Sequence, residues 1–134
     1  MVDEFTPEHW LKRAKSNYIL GSTYNVDNLP EEIFLEDLCF EFQQCAEKSI
    51  KAVLVYNGVE FPWTHNINEL LNSVLDNTTI EIPAEVKKAT QLTKYAVRSR
   101  YPHWNIITKE EFIKAQNIAE TVYNWAKQII EMKS

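Results

Sequence analysis

The sequence contains few of the residues that build tight turns. Only two glycines and five prolines occur among 134 residues, which argues against a sheet with many hairpins and favours helices. No apolar run approaches the roughly 18 residues that span a bilayer, so we expect no membrane segment. The acidic N-terminal stretch lacks the apolar centre of a secretory signal, and we therefore expect a cytoplasmic protein.

Metal, disulfide and phosphate-loop chemistry find little support in the sequence. Cys39 and Cys45 are six residues apart, a rise of about 9 Å on a helix, so we expect two reduced core residues. His9, His65 and His103 are too dispersed for a metal site, and no Cys/His pair has ligand spacing. No glycine-rich phosphate loop occurs. We therefore expect neither a metal nor a cofactor.

The charge of the chain is unevenly distributed. The net charge is −5, which by itself argues weakly against a general nucleic-acid binder. Residues 27–47 hold seven acids and no base, whereas residues 87–100 hold five bases and no acid. The sequence therefore allows a local basic patch on a protein that is acidic as a whole. No repeat, low-complexity tract or linker divides the chain, and we expect one domain over residues 1–134.

Helix signals dominate the first half of the chain. Thr6 and Pro7 are typical of an N-cap and a first helical position, and we expect this helix to run to about Leu20, ended by Gly21. A longer amphipathic helix is expected from about Phe34 to Gly58. Apolar residues off its main stripe indicate that it is central or lies at a dimer contact; these are Phe40, Leu54 and Val55. Two aromatics outside this helix, Trp10 and Trp63, are expected in the core or between helices.

Three further helices are predicted in the second half. One begins at the N-cap Asn66, one covers about Ala84 to Arg98, and one begins at the N-cap Thr108. The β-branched stretch Thr78–Pro83, between the first two of these helices, could be extended but is too short for a sheet. The sum is an all-α protein, an antiparallel up-and-down bundle of four to five helices.

Several segments, in order, resemble the HEPN domain family. Residues 42–54 carry the pattern Gln-x-Ala-x-Glu-Lys-x-x-Lys of that family's long helix, in a slightly changed form. Thr64–Ile67 is similar to the start of the family's next helix, where we expect His65 to be structural rather than a ligand. Residues 95–102 resemble the family's Arg-Tyr-Pro segment. The resemblance implies a helical bundle, usually a homodimer, often paired with a minimal nucleotidyltransferase in toxin–antitoxin systems.

The resemblance also implies a catalytic pair. Arg98 and His103 have four residues between them, as in the Arg-x4-His site of catalytic HEPN proteins. Metal-free RNA cleavage needs a group that moves a proton and a fixed cation for the phosphorane, which His and Arg can supply. Ser99 and Asn105 depart from the active pattern, and Pro102 breaks the helix between the pair. The alternative is a surface or ion-paired arginine and a loop histidine.

A basic stripe surrounds this pair. Lys87, Gln91, Lys94 and Arg98 are spaced by four, three and four residues, so one α-helix would place them in a row. Such a row, extended by Arg100, could follow a phosphate backbone. Two aromatics beyond it could stack on bases, namely Tyr101 and Trp104. The alternative is a solvated helix face with aromatics that anchor the following loop.

Two functions follow from these patterns. The first is a dimeric nucleotide- or RNA-binding HEPN module that works with a nucleotidyltransferase partner. The second is a metal-independent endoribonuclease, the toxin of a toxin–antitoxin pair, that uses Arg98 and His103. The imperfect motif and the acidic net charge favour the first; the Arg-x4-His spacing favours the second.

Overall fold

The computed structural model describes residues 6–98 and 107–131, and every regular element in these ranges is helical. The α-helices are α1 (Pro7–Gly21), α2 (Leu35–Tyr56), α3 (Ile67–Asn77), α4 (Ala84–Lys87), α5 (Lys94–Arg98) and α6 (Lys109–Glu131). Two 3-10 segments accompany them, Val26–Asn28 and Lys88–Leu92. The predicted all-α class and helical bundle are confirmed. Within the described ranges no helix is long and apolar enough to cross a bilayer.

The predicted helix starts are formed by side-chain caps. Thr6, Asn66 and Thr108 each accept a hydrogen bond from a backbone amide in the first turn of the following helix. The donating amides are those of His9 at 3.1 Å, Asn68 at 2.9 Å and Glu111 at 3.0 Å. These bonds satisfy amides that have no partner within their own helix, so local sequence alone determines where α1, α3 and α6 begin.

Helix α2 is the centre of the bundle. It packs most extensively against α1 and α6 and also contacts α3 and α5. Between Cys45 and Leu54 every residue except Lys48 is buried, so this stretch is enclosed on nearly all sides. Leu54, which lies off the main apolar stripe, is fully buried within the chain. The burial of Leu54 therefore supports a central position for α2, which is one of the two expectations for this helix.

An aromatic contact joins the three longest helices. The ring of Phe42 on α2 is fully buried and lies 5.7 Å from that of Tyr18 on α1 and 5.4 Å from that of Phe112 on α6. Cys39 and Cys45 on the same helix are buried free thiols, as predicted. The core therefore runs along α2 and closes between α1 and α6, because an aromatic side chain from each of the three helices meets there.

The two glycines have different roles. Gly58 follows α2 with a φ of +71°, the left-handed conformation that favours glycine, and it ends the helix as predicted. Helix α1 ends at Gly21, as predicted. A Cβ at Gly21 would lie 2.6 Å from the ring of Phe42, so this glycine also permits close helix packing.

Trp63 is not a core residue, contrary to the expectation. Its side chain is 94% exposed, in the connection between α2 and α3. Phe61 takes the inner position: its ring lies 5.5 Å from that of Trp10 and 6.2 Å from that of Trp63. Trp10 itself packs against the core, as expected. The loop therefore places one aromatic inward and leaves the next outside.

Candidate functional site

The structure describes only part of the predicted site. Lys87 is the last residue of α4, and Lys94 and Arg98 are the first and last residues of α5. Both lysine side chains are exposed. The side chain of Arg98 lies outside the described part of the chain, as do four complete residues of the predicted site: Arg100, Tyr101, His103 and Trp104. The pairing of Arg98 with His103 therefore stays a prediction.

The predicted helix from Ala84 to Arg98 is not continuous. A 3-10 segment, Lys88–Leu92, separates α4 from α5. The buried residues of this region explain the change, because they are spaced by three: Val86, Ala89, Leu92 and Tyr95. A spacing of three turns about 300° in an α-helix and about 360° in a 3-10 helix, so 3-10 winding aligns them on the core. Lys87 and Gln91 consequently do not share the row that a continuous α-helix would give.

Helix α5 is attached to the first turn of α6. The hydroxyl of Tyr95 donates a 2.6 Å hydrogen bond to Oε2 of Glu111, and Nζ of Lys94 lies 3.6 Å from the same oxygen. Lys94 remains 46% exposed, so its charge is partly compensated but still faces solvent. Beside these contacts lies a cavity of about 360 Å³, whose polar lining includes Gln91 and Lys114. The lysine at the start of α5 is therefore held at the edge of an open cavity lined by charged side chains and by apolar ones such as Leu92 and Ile118.

A buried carboxylate lies on α2, close to this region. Oε1 of Glu47 accepts a 2.8 Å hydrogen bond from Nε2 of Gln43 and lies 3.1 Å from Nδ1 of His65. Oε2 of Glu47 accepts a 2.9 Å hydrogen bond from Nζ of Lys51. The side chain of Glu47 is 3% exposed and that of Lys51 is 11% exposed. We call these four residues, Gln43, Glu47, Lys51 and His65, the Glu47 network.

The network keeps its carboxylate ionised. Burial acts to raise the pKa of Glu47, but hydrogen bonds from Lys51, His65 and Gln43, together with the charge of Lys51, outweigh it. The pKa of Glu47 is therefore below its ordinary value. Nζ of Lys51 also lies over the ring of Phe61, at 4.9 Å, and that of Trp10, at 5.5 Å. The cation is thus enclosed between the carboxylate and two aromatic faces.

A hydrogen bond joins the start of α3, two residues after His65 of the network, to the residue directly before α5. The backbone amide of Ile67, at the start of α3, donates to Oγ1 of Thr93 at 3.1 Å. His65 lies two residues before Ile67, and Lys94 directly follows Thr93. Two residues of chain span at most about 7 Å. The backbone of His65 therefore lies within about 7 Å of a residue that is hydrogen-bonded to Thr93, directly before α5.

The family pattern marks the segment of α2 that carries this network, but it does not predict the contacts. The segment includes Gln43, Glu47 and Lys51, whose spacing of four places them on one helix face. That regular spacing of polar residues within an apolar helix is the signal that could have revealed them. The contact with His65 joins residues 18 apart and depends on the path of the loop, so no local pattern predicts it.

The described residues offer no metal centre. No three His, Cys, Asp or Glu side chains within residues 6–98 and 107–131 gather closely enough to hold an ion. The groups that the described part of the site does present are exposed lysines, an exposed imidazole and ionised carboxylates. These groups can bind anions, form directed hydrogen bonds and carry protons.

A central buried helix, two long helices around it and a polar edge at α5 define a small helical-bundle protein, and comparison identifies its class. The family model of the HEPN domain matches residues 7–129. The chain belongs to the HEPN domain family, as the sequence resemblance predicted.

Two known proteins are similar to this chain. "Putative toxin MJ1304" of Methanocaldococcus jannaschii is 29% identical, over 72% of this chain and 76% of that protein. The crystal structure of ST0689, described as an archaeal HEPN homologue, superposes with a TM-score of 0.69 at 27% identity. That superposition covers 94% of this chain and 98% of the other.

Proposed function

We propose that this protein is a dimeric RNA-directed HEPN module whose RNA-binding face follows α5. One observation carries the proposal: α5 is fixed at its start to both α3 and α6, through Thr93 and Tyr95. The backbone at the start of α5, four residues before Arg98, is therefore held to two neighbouring helices. A cation and its neighbours can contact a ligand productively only if their backbone is held in place.

The chemistry of this segment suits a nucleic acid strand. Lys94 and the arginines at 98 and 100 can contact phosphates, and exposed Lys87, which lies outside their row, adds positive charge to the same region. Tyr101 and Trp104 can stack on unpaired bases, which is the usual way single-stranded RNA is held. A nucleotide would use the same two kinds of contact over a shorter length. No acid lies between residues 87 and 100 in the sequence, although Glu111 on α6 partly compensates the charge of Lys94.

A second function, endoribonuclease toxin, is favoured by the similarity to "Putative toxin MJ1304" and by the spacing of Arg98 and His103. In this reaction the ribose 2′-oxygen attacks the adjacent phosphorus and the bond to the 5′-oxygen breaks. The products are a 2′,3′-cyclic phosphate and a 5′-hydroxyl end. His103 would move the proton and Arg98 would stabilise the negative charge on the phosphorane.

Two partners belong to the same proposal. A symmetric dimer would bring two copies of the Arg98 and His103 segment to one interface, where they would form a composite site. A nucleotidyltransferase-domain protein would act as the partner that controls the HEPN protein. Sedimentation equilibrium tests the first statement, and a mass equal to one chain would contradict it. Co-purification with a nucleotidyltransferase-domain protein encoded beside it tests the second.

RNA binding is tested by fluorescence anisotropy with a labelled 20-nucleotide single-stranded RNA. We expect the affinity to fall steeply between 50 mM and 200 mM salt and to be weakened at least tenfold by Arg98→Ala. Lys127→Ala is the matched control, because Lys127 is exposed on α6 but lies 16 residues after Glu111. Binding that Arg98→Ala and Lys127→Ala weaken equally would contradict the proposed face.

Cleavage separates the two functions. Purified wild-type protein and His103→Ala are incubated with end-labelled tRNA and mRNA in the presence of EDTA. A cyclic-phosphate product that disappears in His103→Ala would assign the endoribonuclease function. Tight RNA binding without any cleavage would assign the binding module.

A further inference from the structure

The Glu47 network is costly to bury and is not needed to fill the core. A charged pair inside a protein contributes little to stability compared with apolar side chains of the same size. Glu47 and Lys51 nevertheless occupy the most enclosed stretch of α2, where all other residues between Cys45 and Leu54 except Lys48 are buried and most are apolar or small. Their burial therefore calls for a reason other than packing.

The network holds the exposed imidazole of His65 in a fixed orientation. Gln43 is fully buried and the Lys51 side chain is 11% exposed, whereas that of His65 is 62% exposed. Nδ1 of His65 faces the carboxylate of Glu47 at 3.1 Å. Because an ionised carboxylate only accepts hydrogen bonds, Nδ1 carries the hydrogen. In the neutral ring, Nε2 on the opposite edge is then a hydrogen-bond acceptor whose direction is set from inside the protein.

The imidazole lies beside the proposed RNA face. His65 is two residues from Ile67, whose amide is bonded to Thr93 immediately before α5. A strand bound at the first residues of α5 and continued toward the start of α3 would then reach His65. An RNA strand differs from DNA by a hydroxyl at each sugar, and that hydroxyl can donate a hydrogen bond to an acceptor such as Nε2.

We propose that His65 is a ribose-recognition residue, whose Nε2 accepts a hydrogen bond from a 2′-hydroxyl of RNA bound along α5. Glu47 is the positioning residue that sets the ring orientation, and Lys51 and Gln43 hold Glu47. The proposal rests on the proposed RNA-binding function of α5 and adds a specificity that phosphate contacts cannot provide, because phosphates are common to RNA and DNA.

An exposed carboxylate near His65, that of Glu69, should weaken the binding of any nucleic acid strand that reaches His65. Lys51 compensates the charge of Glu47, but Glu69 is exposed in the first turn of α3 and has no such buried partner among the described ion pairs. A strand that reaches His65 enters the field of Glu69, within about one Debye length. Glu69→Gln should therefore tighten the binding of RNA and DNA alike, by about twofold. No change with either strand would place the strand elsewhere and overturn the proposal.

The decisive variant is His65→Asn. The Asn amide nitrogen can occupy the position of Nδ1 and donate to Glu47, while the outward nitrogen is lost. Anisotropy is measured with labelled 20-nucleotide RNA and DNA of the same sequence. We expect wild-type protein to prefer RNA and His65→Asn to lose about fivefold in RNA affinity, with unchanged DNA affinity and melting temperature. Lys127→Ala, which is distant on α6, should keep the preference.

A ligand-side experiment keeps the proposal testable if the variant does not fold. RNA methylated at each 2′-oxygen retains the ribose oxygen but cannot donate the hydrogen bond. Wild-type protein should bind this strand about as weakly as DNA. Equal affinity for RNA and its 2′-O-methyl form would overturn the role of His65.

The outcomes separate this proposal from the function on which it rests. Binding of RNA that Arg98→Ala weakens, with an unchanged RNA-to-DNA ratio in His65→Asn, would overturn the ribose role alone. If His65→Asn lowers the melting temperature and weakens RNA and DNA binding equally, His65 has a structural role. That result would also overturn the ribose-recognition proposal. A wild-type protein that binds neither strand would overturn both proposals.

Discussion

Tyr95 and Glu111 are joined by a 2.6 Å hydrogen bond, from the phenolic hydroxyl to Oε2, that links α5 to the first turn of α6. The ring of Tyr95 is almost completely buried, so the bond lies at the edge of the core. Arg98 is the last residue of the same short helix, so this contact holds the helix on which the predicted site begins.

The first prediction concerns Tyr95→Phe, which keeps the ring and removes the hydroxyl. We expect the free energy of unfolding to fall by about 1.5 kcal/mol, since a hydrogen bond to a charged group is lost. RNA affinity should fall several-fold because α5 is held less firmly. Urea unfolding and RNA anisotropy measure the two effects. Tyr24→Phe, at a more exposed tyrosine, is the control, and equal stability changes in both variants would contradict the role of the bond.

The second prediction separates the two glycines. Gly21→Ala places a methyl group 2.6 Å from the buried ring of Phe42, which must move against Tyr18 and Phe112. We expect a loss of about 2–3 kcal/mol in the free energy of unfolding, as for an overpacked core. Gly58→Ala meets no atom within 4 Å but has a φ of +71°, and should cost about 1 kcal/mol.

Asparagine at the same two positions provides the contrast. Asn tolerates the left-handed conformation, so Gly58→Asn should recover most of the loss seen with alanine. Gly21→Asn should be worse than Gly21→Ala, because its side chain is larger. A recovery at position 21 would show that the constraint there is conformational rather than steric.

The parts of the fold that follow from local patterns could be predicted from the sequence. The caps at Thr6, Asn66 and Thr108 depend on residues within one turn, and all three are formed. The helix end at Gly21 could be predicted, but its packing role could not, because that role depends on Phe42, which is distant in the chain. A glycine at the end of an apolar stripe fits both a helix terminator and a close contact.

The candidate site shows the same limit. Apolar residues recur every three positions from Val86 to Tyr95, but the same stretch also fits an α-helix, so the sequence did not distinguish the two kinds of helix. The contact of Glu47 with His65 required the path of the loop between α2 and α3. Charge and motif spacing could predict which segment carries the cations, and they could not predict which buried group orients an imidazole nearby.

The third prediction concerns the acid stability of the protein. The pKa of Glu47 is lowered on folding, so its contribution to stability is complete above the pKa of a glutamate in the unfolded chain. That contribution is lost as the pH falls through the lower pKa of the folded state. We therefore expect the free energy of unfolding to decrease below about pH 4.5 and Glu47→Gln to flatten this decrease.

The same variant tests the network at neutral pH. Glu47→Gln leaves the buried ammonium of Lys51 without its counter-charge, which should cost about 3 kcal/mol. Glu110→Gln, at an exposed glutamate in the first turn of α6, is the control and should change stability little. The measurement is urea unfolding between pH 3 and pH 7. Parallel pH dependence in wild type and Glu47→Gln would contradict the lowered pKa.

The fourth prediction concerns the reactivity of the two thiols. Burial raises the pKa of Cys45 to about 12, and its Sγ lies 3.9 Å from the carbonyl oxygen of Ala119 in the core. The thiolate is the form that attacks a disulfide reagent, so both the lack of access and the raised pKa protect this residue. We expect no reaction with a disulfide reagent at pH 8 in the native protein, and stoichiometric reaction in urea.

Two variants assign the signal to individual residues. Cys39→Ser leaves Cys45 as the reporter, and Cys45→Ser leaves Cys39, which is also fully buried. In each variant the rate of labelling should follow the opening of the bundle, because the reagent can reach either sulfur only when α2 separates from its neighbours. Stabilising the fold should therefore slow both rates equally. Rapid labelling of Cys45 in a protein that remains folded by circular dichroism would show that α2 is not enclosed between α1 and α6 in solution.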